Sequence, residues 1–514
     1  MESSPTRRRL TDALRRLKEL QDRGGVVVRS PDLARRERET LVAAGFLRQV
    51  VKGWYLVTRP GDAPGDTTPW FAAMREFVAG YCTARFGDAW HVAPAYSVLV
   101  HAGATVLPGQ VIVHAPDGAN TPLELPGGCS LLTYRTALPP SDRIEGRGGL
   151  RVLTLPAALT RVPEQFFRTY ATDAQIALAT LPDASDLNRE LLAEQRSVVA
   201  GRLAGALRAI GRSALADDIV GTMGAAGYPI VEDDPFVVAP LVITSSRTAS
   251  PAVHRLRLMW RTMREDVLRH LPESPGRPAD IEPYLARVRE QYRADAYHSL
   301  SIEGYRVTDA LIERVASGVW NPARHTADAD ARHAMAAHGY WRAFDAVHAS
   351  LRRILGGVDP SDVLRTDHGV WYRELFSPSV SAGLLAAADL AGYRNGPVLI
   401  RNAAHVPPPR EAVREMMPAL FDLLADESSA AVRAVLGHFA FVFIHPYMDG
   451  NGRMGRFLMN AMLASGGHPW TIIRVDWRDR YMAALDDASA RGDIVPFARL
   501  IADALAATAR AADE

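Results

Sequence analysis

The chain has 514 residues, a formal net charge of +1 at pH 7, 48% hydrophobic and 23% charged residues. That balance is ordinary for a soluble globular protein of roughly two to four domains, and it selects no polyanionic partner for the chain as a whole. Two cysteines, Cys82 and Cys129, exclude a disulfide framework and a CxxC metal site and point to a reducing cytoplasm. The polar, basic start Met1–Arg9 has no apolar core after it, so no secretory leader is expected there. No apolar run approaches the roughly 18–20 residues that cross a bilayer, so no membrane role is expected.

Residues 1–59 hold 14 Lys/Arg against 7 Asp/Glu. Leu10, Ala13, Leu14, Leu17 and Leu20 recur at helical spacing, and Gly24-Gly25 ends that segment. Ser30-Pro31-Asp32 is expected to open a second helix, with Ser30 as cap, Pro31 in the first turn and Asp32 at the positive end. Gly45 closes it, and Phe46–Val57 reads as a hairpin turning at Lys52-Gly53. Helices followed by a basic hairpin outline a winged helix over residues 1–60. Arg35, Arg36 and Arg38 on the second helix, with Arg48 and Lys52 on the wing, would meet DNA phosphates.

Gly61–Asp66 is a linker. Residues 69–235 alternate helices, at Trp70–Tyr81, Pro94–Ala102 and Asn188–Ile210, with strands at Gln110–His114, Ser130–Tyr134 and Leu150–Leu155. They form a small α/β domain with no evident chemistry. His91, His101 and His114 lack helical ligand spacing, so core or surface roles are expected. Gly227–Pro251 connects this region to a third, residues 253–514, which is helical except for Gly392–Pro409 around the strand-like Val398-Leu399-Ile400.

The chemistry concentrates in Phe441–Arg456. An apolar helix enters from Ala430 to Ile444, and another leaves from Arg453 to Ala464. Between them Gly450 and Gly452 flank Asn451, so the loop feeds a helix N-terminus whose N–H groups seat an anion. Arg453 and Arg456 share one face of the departing helix, with guanidinium forks suited to phosphate oxygens. Asp449 is a hard ligand for Mg²⁺, and His445 titrates where a base is useful. Tyr447 should turn inward and pin the loop.

This string resembles the Fic family motif His-x-Phe-x-Asp/Glu-Gly-Asn-Gly-Arg-x-x-Arg, with Tyr447 where Phe is usual. The resemblance spans roughly 260 residues and implies a mostly α-helical core with a β-hairpin flap. It implies transfer of AMP from ATP, with Mg²⁺, to a hydroxyl of a target protein. It assigns His445 as the base, Asp449 to the metal, Asn451 and the amides of Gly450 and Gly452 to the α- and β-phosphates, Arg453 to the β-phosphate and Arg456 to the γ-phosphate. Gly396–Pro409 matches the flap, which in relatives pairs with the target backbone. Asp479–Leu485 matches the segment lining the nucleoside pocket, with Tyr481 as a candidate base contact.

A second family pattern, Ser/Thr-x-x-x-Glu-Gly/Asn, is matched by Ser299, Glu303 and Gly304. It implies an inhibitory helix near 294–304 whose glutamate engages Arg456 and displaces the γ-phosphate. Residues about 10–115, chiefly Leu41–Val57 and Ala93–Gly103, resemble abortive-infection-type antitoxins and related winged-helix regulators. The combined expectation is an autoinhibited protein AMP-transferase with a DNA-binding front, able to form a homo-oligomer. The alternatives are a nucleotide-sensing transcription regulator, or Fic chemistry with another donor or in the AMP-removing direction.

Overall fold

The computed structural model describes residues 5–22, 26–58, 60, 68–236, 250–317, 331–382, 384–396, 398, 400 and 403–513. Two compact units result: Met1–Pro251 with Leu399–Val406, and Ala252–Val398 with Pro407–Glu514.

The first unit opens with α1 (Pro5–Asp22), β1 (Val27–Arg29), α2 (Arg35–Ala43), β2 (Leu47–Val51) and β3 (Trp54–Val57). β3 lies between β1 and β2, antiparallel to both. Gly53 supplies the positive φ, +87°, of the β2–β3 turn. Ala13, Leu17, Val28, Leu33, Leu41 and Leu47 form the core, so the helical repeat read along residues 10–20 does bury one face. The second helix differs from expectation. Ser30–Asp32 make a single 3₁₀ turn, and α2 starts at Arg35. The Asp32 carboxylate accepts the Arg29 N–H at 2.7 Å, and the Glu37 carboxylate accepts the Ala34 N–H at 2.9 Å. Two local acid-to-backbone bonds thus start two short elements in place of one. Gly24-Gly25 and Gly61–Asp66 lie outside the described residues.

There follow α3 (Thr68–Phe86), β4 (His91–Val92), α4 (Pro94–His101), β5 (Gln110–Ala115), β6 (Pro122–Glu124), β7 (Ser130–Arg135), β8 (Ile144–Arg147), β9 (Leu150–Leu153), α5 (Leu155–Leu159), α6 (Glu164–Thr169), α7 (Ala171–Ala179), α8 (Ser185–Ala193), α9 (Ser197–Ala209) and α10 (Ser213–Ala225). The sheet order is β4-β5-β7-β6, with β5 and β7 parallel, and β8 pairs with β9. The Glu76 carboxylate of α3 accepts the N–H groups of Val26 and Val27 at 3.0 and 3.2 Å, and Trp54 packs edge-on to Phe77. The helix expected over Asn188–Ile210 is broken between α8 and α9. Gln195 takes φ +53°, and Glu194 is drawn out by Arg161 and by Arg196, whose Nε donates to it at 2.6 Å. The strand expected to Leu155 ends at Leu153, because Leu155 opens α5 with Pro156 in its first turn.

His91 and His114 are cross-strand partners with ring centroids 5.1 Å apart. His91 is held neutral, its pKa lowered to about 4 by burial, and His101 bonds the Leu153 carbonyl at 2.8 Å. An isolated antiparallel bridge joins Val106 to His405, and the Val406 N–H donates to the Thr105 carbonyl at 2.9 Å. The hairpin flap expected over Gly396–Pro409 lies partly outside the described residues, which do not include 397, 399, 401 and 402; of those described, Val398 and Ile400 are not in a strand.

The second unit holds α11 (Pro251–His270), α12 (Ile281–Ile302), α13 (Asp309–Ala316), α14 (Ala331–Leu355), α15 (Pro360–Ser381), α16 (Arg410–Asp426), α17 (Ala430–Ile444), α18 (Asn451–Ser465), α19 (Arg478–Arg491) and α20 (Val495–Asp513). α14, α15, α17 and α18 surround a core that includes Tyr340, Phe344, Trp371, Phe443 and Phe457, each under 2% exposed. Gly339 allows α14 to approach α15: a Cβ there would sit 1.9 Å from the Leu375 carbonyl oxygen. No helix among the described residues is long and apolar enough to cross a membrane. Cys82 and Cys129 are buried free thiols.

Candidate active site

α17 stops because His445 takes a left-handed conformation, φ +53° and ψ 60°, ahead of Pro446. A side chain with a Cβ in that region costs about 1–3 kcal/mol, so the surroundings must hold it there. Arg394 does so. Its Nε donates to the His445 carbonyl at 2.7 Å, and its backbone N–H donates to the Pro446 carbonyl at 2.8 Å. The imidazole Nδ1 lies 3.1 Å from the Val442 carbonyl. A carbonyl only accepts, so Nδ1 carries the proton and the Nε2 lone pair is left for another partner. Burial, with help from Arg394, lowers the His445 pKa to about 4 against the opposing Val442 bond, Glu303 and Asp449, so the ring is neutral at pH 7.

The loop is self-braced. The Tyr447 ring lies flat on Tyr372, centroids 3.7 Å apart and planes 5° from parallel, as its expected inward turn requires. The Asn451 amide closes both ends of the turn, accepting the Tyr447 N–H at 2.9 Å and donating to the Tyr447 carbonyl at 2.8 Å. That side chain is therefore a loop brace, and only its backbone N–H remains for a phosphate. Gly450 has φ +82°, and a Cβ there would meet the Phe376 ring at 2.7 Å. Gly450→Ala combines backbone strain with overpacking and should cost about 2–4 kcal/mol of stability, read as a lower urea midpoint at unchanged slope.

α18 leaves from this loop with its first N–H groups unpaired by helix geometry. Arg453 and Arg456 point from it into the protein, 1% and 3% exposed. The Arg453 guanidinium sits between the Phe376 ring, 5.0 Å away, and the Tyr305 ring, 5.2 Å away, with Asp449 Oδ2 3.3 Å from Nη2. Among the described residues its Nε has no hydrogen-bond acceptor, nor does Nη1 of Arg456. Orphaned buried donors cost about 1–3 kcal/mol each, so these two call for an anion. Asp449 is mostly exposed, and one of its oxygens accepts the Gly450 N–H at 2.6 Å. Among the described residues no cluster of three or more His, Cys, Asp or Glu could hold a metal by itself.

Glu303 lies against Arg456 and Gly452. α12 is capped at its start by Asp280, whose carboxylate accepts the Glu282 N–H at 3.1 Å. At its end the Gly304 N–H reaches the Ser301 carbonyl and the Tyr305 N–H the Leu300 carbonyl, both at 3.0 Å, with Gly304 at φ +82°. This αL termination fixes the direction in which Glu303 leaves the helix. Its Oε1 accepts from Arg456 Nη2 at 2.7 Å. Ser299 accepts from the same guanidinium twice, at Oγ from Nε (2.9 Å) and at its carbonyl from Nη2 (3.1 Å). Burial would lower the Arg456 pKa, and the Glu303 carboxylate more than reverses that. A Cβ on Gly452 would lie 2.4 Å from Glu303 Oε1, so the carboxylate rests on the first turn of α18 itself. Tyr481 is 1% exposed beneath Arg456, 5.9 Å from ring to guanidinium, with its hydroxyl 2.9 Å from His438 Nε2.

The structure thus gathers His445, Asp449, Gly450, Gly452, Arg453, Arg456, Ser299 and Glu303 into one place. It adds Arg394, Tyr305, Phe376 and Tyr372, which no local pattern marks. Residues 368–463 match the Fic/DOC family. They form a Fic/DOC domain. A "Protein adenylyltransferase Fic" of Nematostella vectensis is 29% identical over 233 residues, 44% of this chain and 49% of that protein. Its namesake in Drosophila willistoni is 42% identical over 103 residues, 19% of this chain and 20% of that protein. A solved structure, "Fic-1 (aa134 - 508) from C. elegans", covers 69% of this chain and 95% of its own at 21% identity and TM-score 0.37. The chain spans about half the length, or less, of the curated relatives it matches, and the Fic/DOC match begins on α15 and ends on α18.

Proposed function

We propose that the Fic/DOC domain is a protein adenylyltransferase held off by its own α12. The observation that carries this is the pair of buried, unpaired guanidinium donors beside a neutral histidine with a free Nε2. ATP would place its phosphates on the first turn of α18, with Arg453 on the β-phosphate and Arg456 on the γ-phosphate. The acceptor hydroxyl gives its proton to His445 Nε2 as its oxygen attacks the α-phosphorus. The bond to the β-phosphate oxygen breaks, AMP stays on the protein and pyrophosphate leaves. Mg²⁺ would supply charge neutralisation on the phosphates. Asp449 suits it as a lone protein carboxylate, since Mg²⁺ keeps waters and substrate oxygens as its other ligands. Tyr481, buried under Arg456, supports that arginine from below and is poorly placed to touch a base. With Glu303 across Gly452 and Arg456, the γ-phosphate seat is taken and the α-phosphorus is out of line.

The test is incubation of the protein with Mg²⁺ and ATP labelled at the α- or the γ-phosphate, beside the other nucleoside triphosphates. Covalent label from the α-position alone supports transfer of AMP, and preferential label from another nucleotide changes the donor. No label from any, with Glu303 removed and a cell extract supplying acceptors, returns the site to nucleotide sensing.

The front of the chain supports a second reading. Its order α1-β1-α2-β2-β3, with β3 central, fits a winged helix that binds DNA through phosphates. Of the three arginines on α2, Arg35 pairs with Glu39, and Arg38 turns to the Ser30 carbonyl and the Tyr55 ring. Arg36 and Lys52, both exposed, are the better candidates. Arg36→Ala with Lys52→Ala should weaken binding to duplex DNA and flatten the plot of log affinity against log salt by about 1–2 units of slope. An unchanged slope removes these side chains from the interface.

A further inference from the structure

Arg394 is 3% exposed and makes no ion pair described in the structure. Its whole guanidinium is engaged by backbone carbonyls: His445 from Nε at 2.7 Å, Gly396 from Nη1 at 3.1 Å, and Pro408 from Nη2. Its main-chain N–H takes the Pro446 carbonyl. Burial lowers its pKa to about 10, which still leaves it charged at pH 7. Charge-assisted bonds to carbonyls are among the stronger neutral-acceptor hydrogen bonds, and a planar fork fixes three directions at once. The residue before it is also anchored: the Tyr393 hydroxyl lies 2.9 Å from His368 Nε2, and His368 Nδ1 faces the Leu364 carbonyl at 2.9 Å. Arg410 adds a bond to the Asn395 carbonyl at 2.7 Å.

Two things meet on this one side chain. One is the strained left-handed turn that aims the His445 imidazole. The other is the pair Gly396 and Pro408, whose carbonyls the same guanidinium holds. We infer that Arg394 is a positioning residue that couples the held pair Gly396 and Pro408 to the aim of His445, so that the imidazole keeps its direction for the proton only while those carbonyls are held. The inference rests on the adenylyltransferase reading for its rate prediction, and on geometry alone for its structural one. Lysine in its place offers a single point charge and cannot satisfy three diverging carbonyls.

The experiment uses full-length Glu303→Gly protein as parent, with Arg394→Lys and Arg394→Ala added. Three quantities are measured: transfer of α-labelled AMP as kcat and KM for ATP, equilibrium ATP binding, and backbone hydrogen exchange. Arg394→Ala should lower kcat by about 10²-fold, the scale of a reacting group misplaced by about 1 Å, with KM and ATP binding within about threefold. Millimolar methylguanidinium should restore part of that rate. Exchange should rise together in the peptides covering 393–410 and 441–450, with the other helices of the second unit unchanged. Arg394→Lys should fall between, and carries the test if the alanine variant does not fold. Loss of ATP binding in parallel with rate, or exchange that rises in 393–410 while 441–450 is unchanged, overturns the coupling. If the parent transfers no AMP at all, the adenylyltransferase reading fails, and the exchange result still decides the role of Arg394.

Discussion

Glu303→Gly should raise incorporation of AMP by roughly 10²-fold over the unaltered chain, because on the proposed reading it frees a phosphate seat that the carboxylate would fill. The wild-type carboxylate bonds Arg456 Nη2 at 2.7 Å and lies where a Cβ of Gly452 would be. A phosphate and that carboxylate cannot share this space, and two anions beside one guanidinium repel. Removing the carboxyl leaves Arg456 still braced by the Ser299 hydroxyl and carbonyl, so the arginine keeps its direction and gains a vacancy in front of it. Ser299→Ala should therefore give a smaller gain than Glu303→Gly, since it loosens the arginine without vacating the seat. Label measured over time with α-labelled ATP reads both. Equal rates for Glu303→Gly and the unaltered chain, at equal ATP binding, would remove the brake from the account. Glu303→Gln separates charge from bulk: a result near wild type makes steric occupation the larger effect.

His445→Ala, placed in the Glu303→Gly background, should cost about 10²–10⁴-fold in transfer with little change in ATP binding, the usual contribution of a positioned base. The imidazole is not one of the groups proposed to hold the phosphates, and its Nδ1 proton faces the Val442 carbonyl. Its pKa is lowered from 6.5 by burial and by Arg394, so the neutral form persists well below pH 6. The sign follows directly: a depressed histidine pKa moves the acid limb of kcat downward, and the rate should be flat from pH 6 to 8. An acid limb at or above pH 6.5 would mean that the ring is not held as described. Similar transfer with and without His445 would assign the proton to another group.

The helix–loop–helix from Ala430 to Ser465 was readable from local pattern, because an apolar repeat interrupted by Pro446, Gly450 and Gly452 leaves the backbone few alternatives. The same holds for the turn at Lys52-Gly53 and for Gly304 ending α12. These are decisions within a few residues, set by dihedral preference and by which side chains repel or seek water. Arg453 and Arg456 could be placed on one helix face by spacing alone. Their neighbours could not, since Phe376 and Tyr305 reach Arg453 from α15 and from the end of α12, far away in sequence. Arg394 carries no local mark among so many arginines, and its meaning exists only where Gly396, Pro408 and His445 converge. Local preference also misled where a tertiary ion pair competed with it, as at Glu194, where Arg161 and Arg196 end a helix that composition would continue. The sequence by itself determined which groups could do the chemistry and on what kind of element each would lie. Only the tertiary structure decided which donors are left without partners and which carboxylate lies in their path, because burial and close approach depend on segments that meet across the fold.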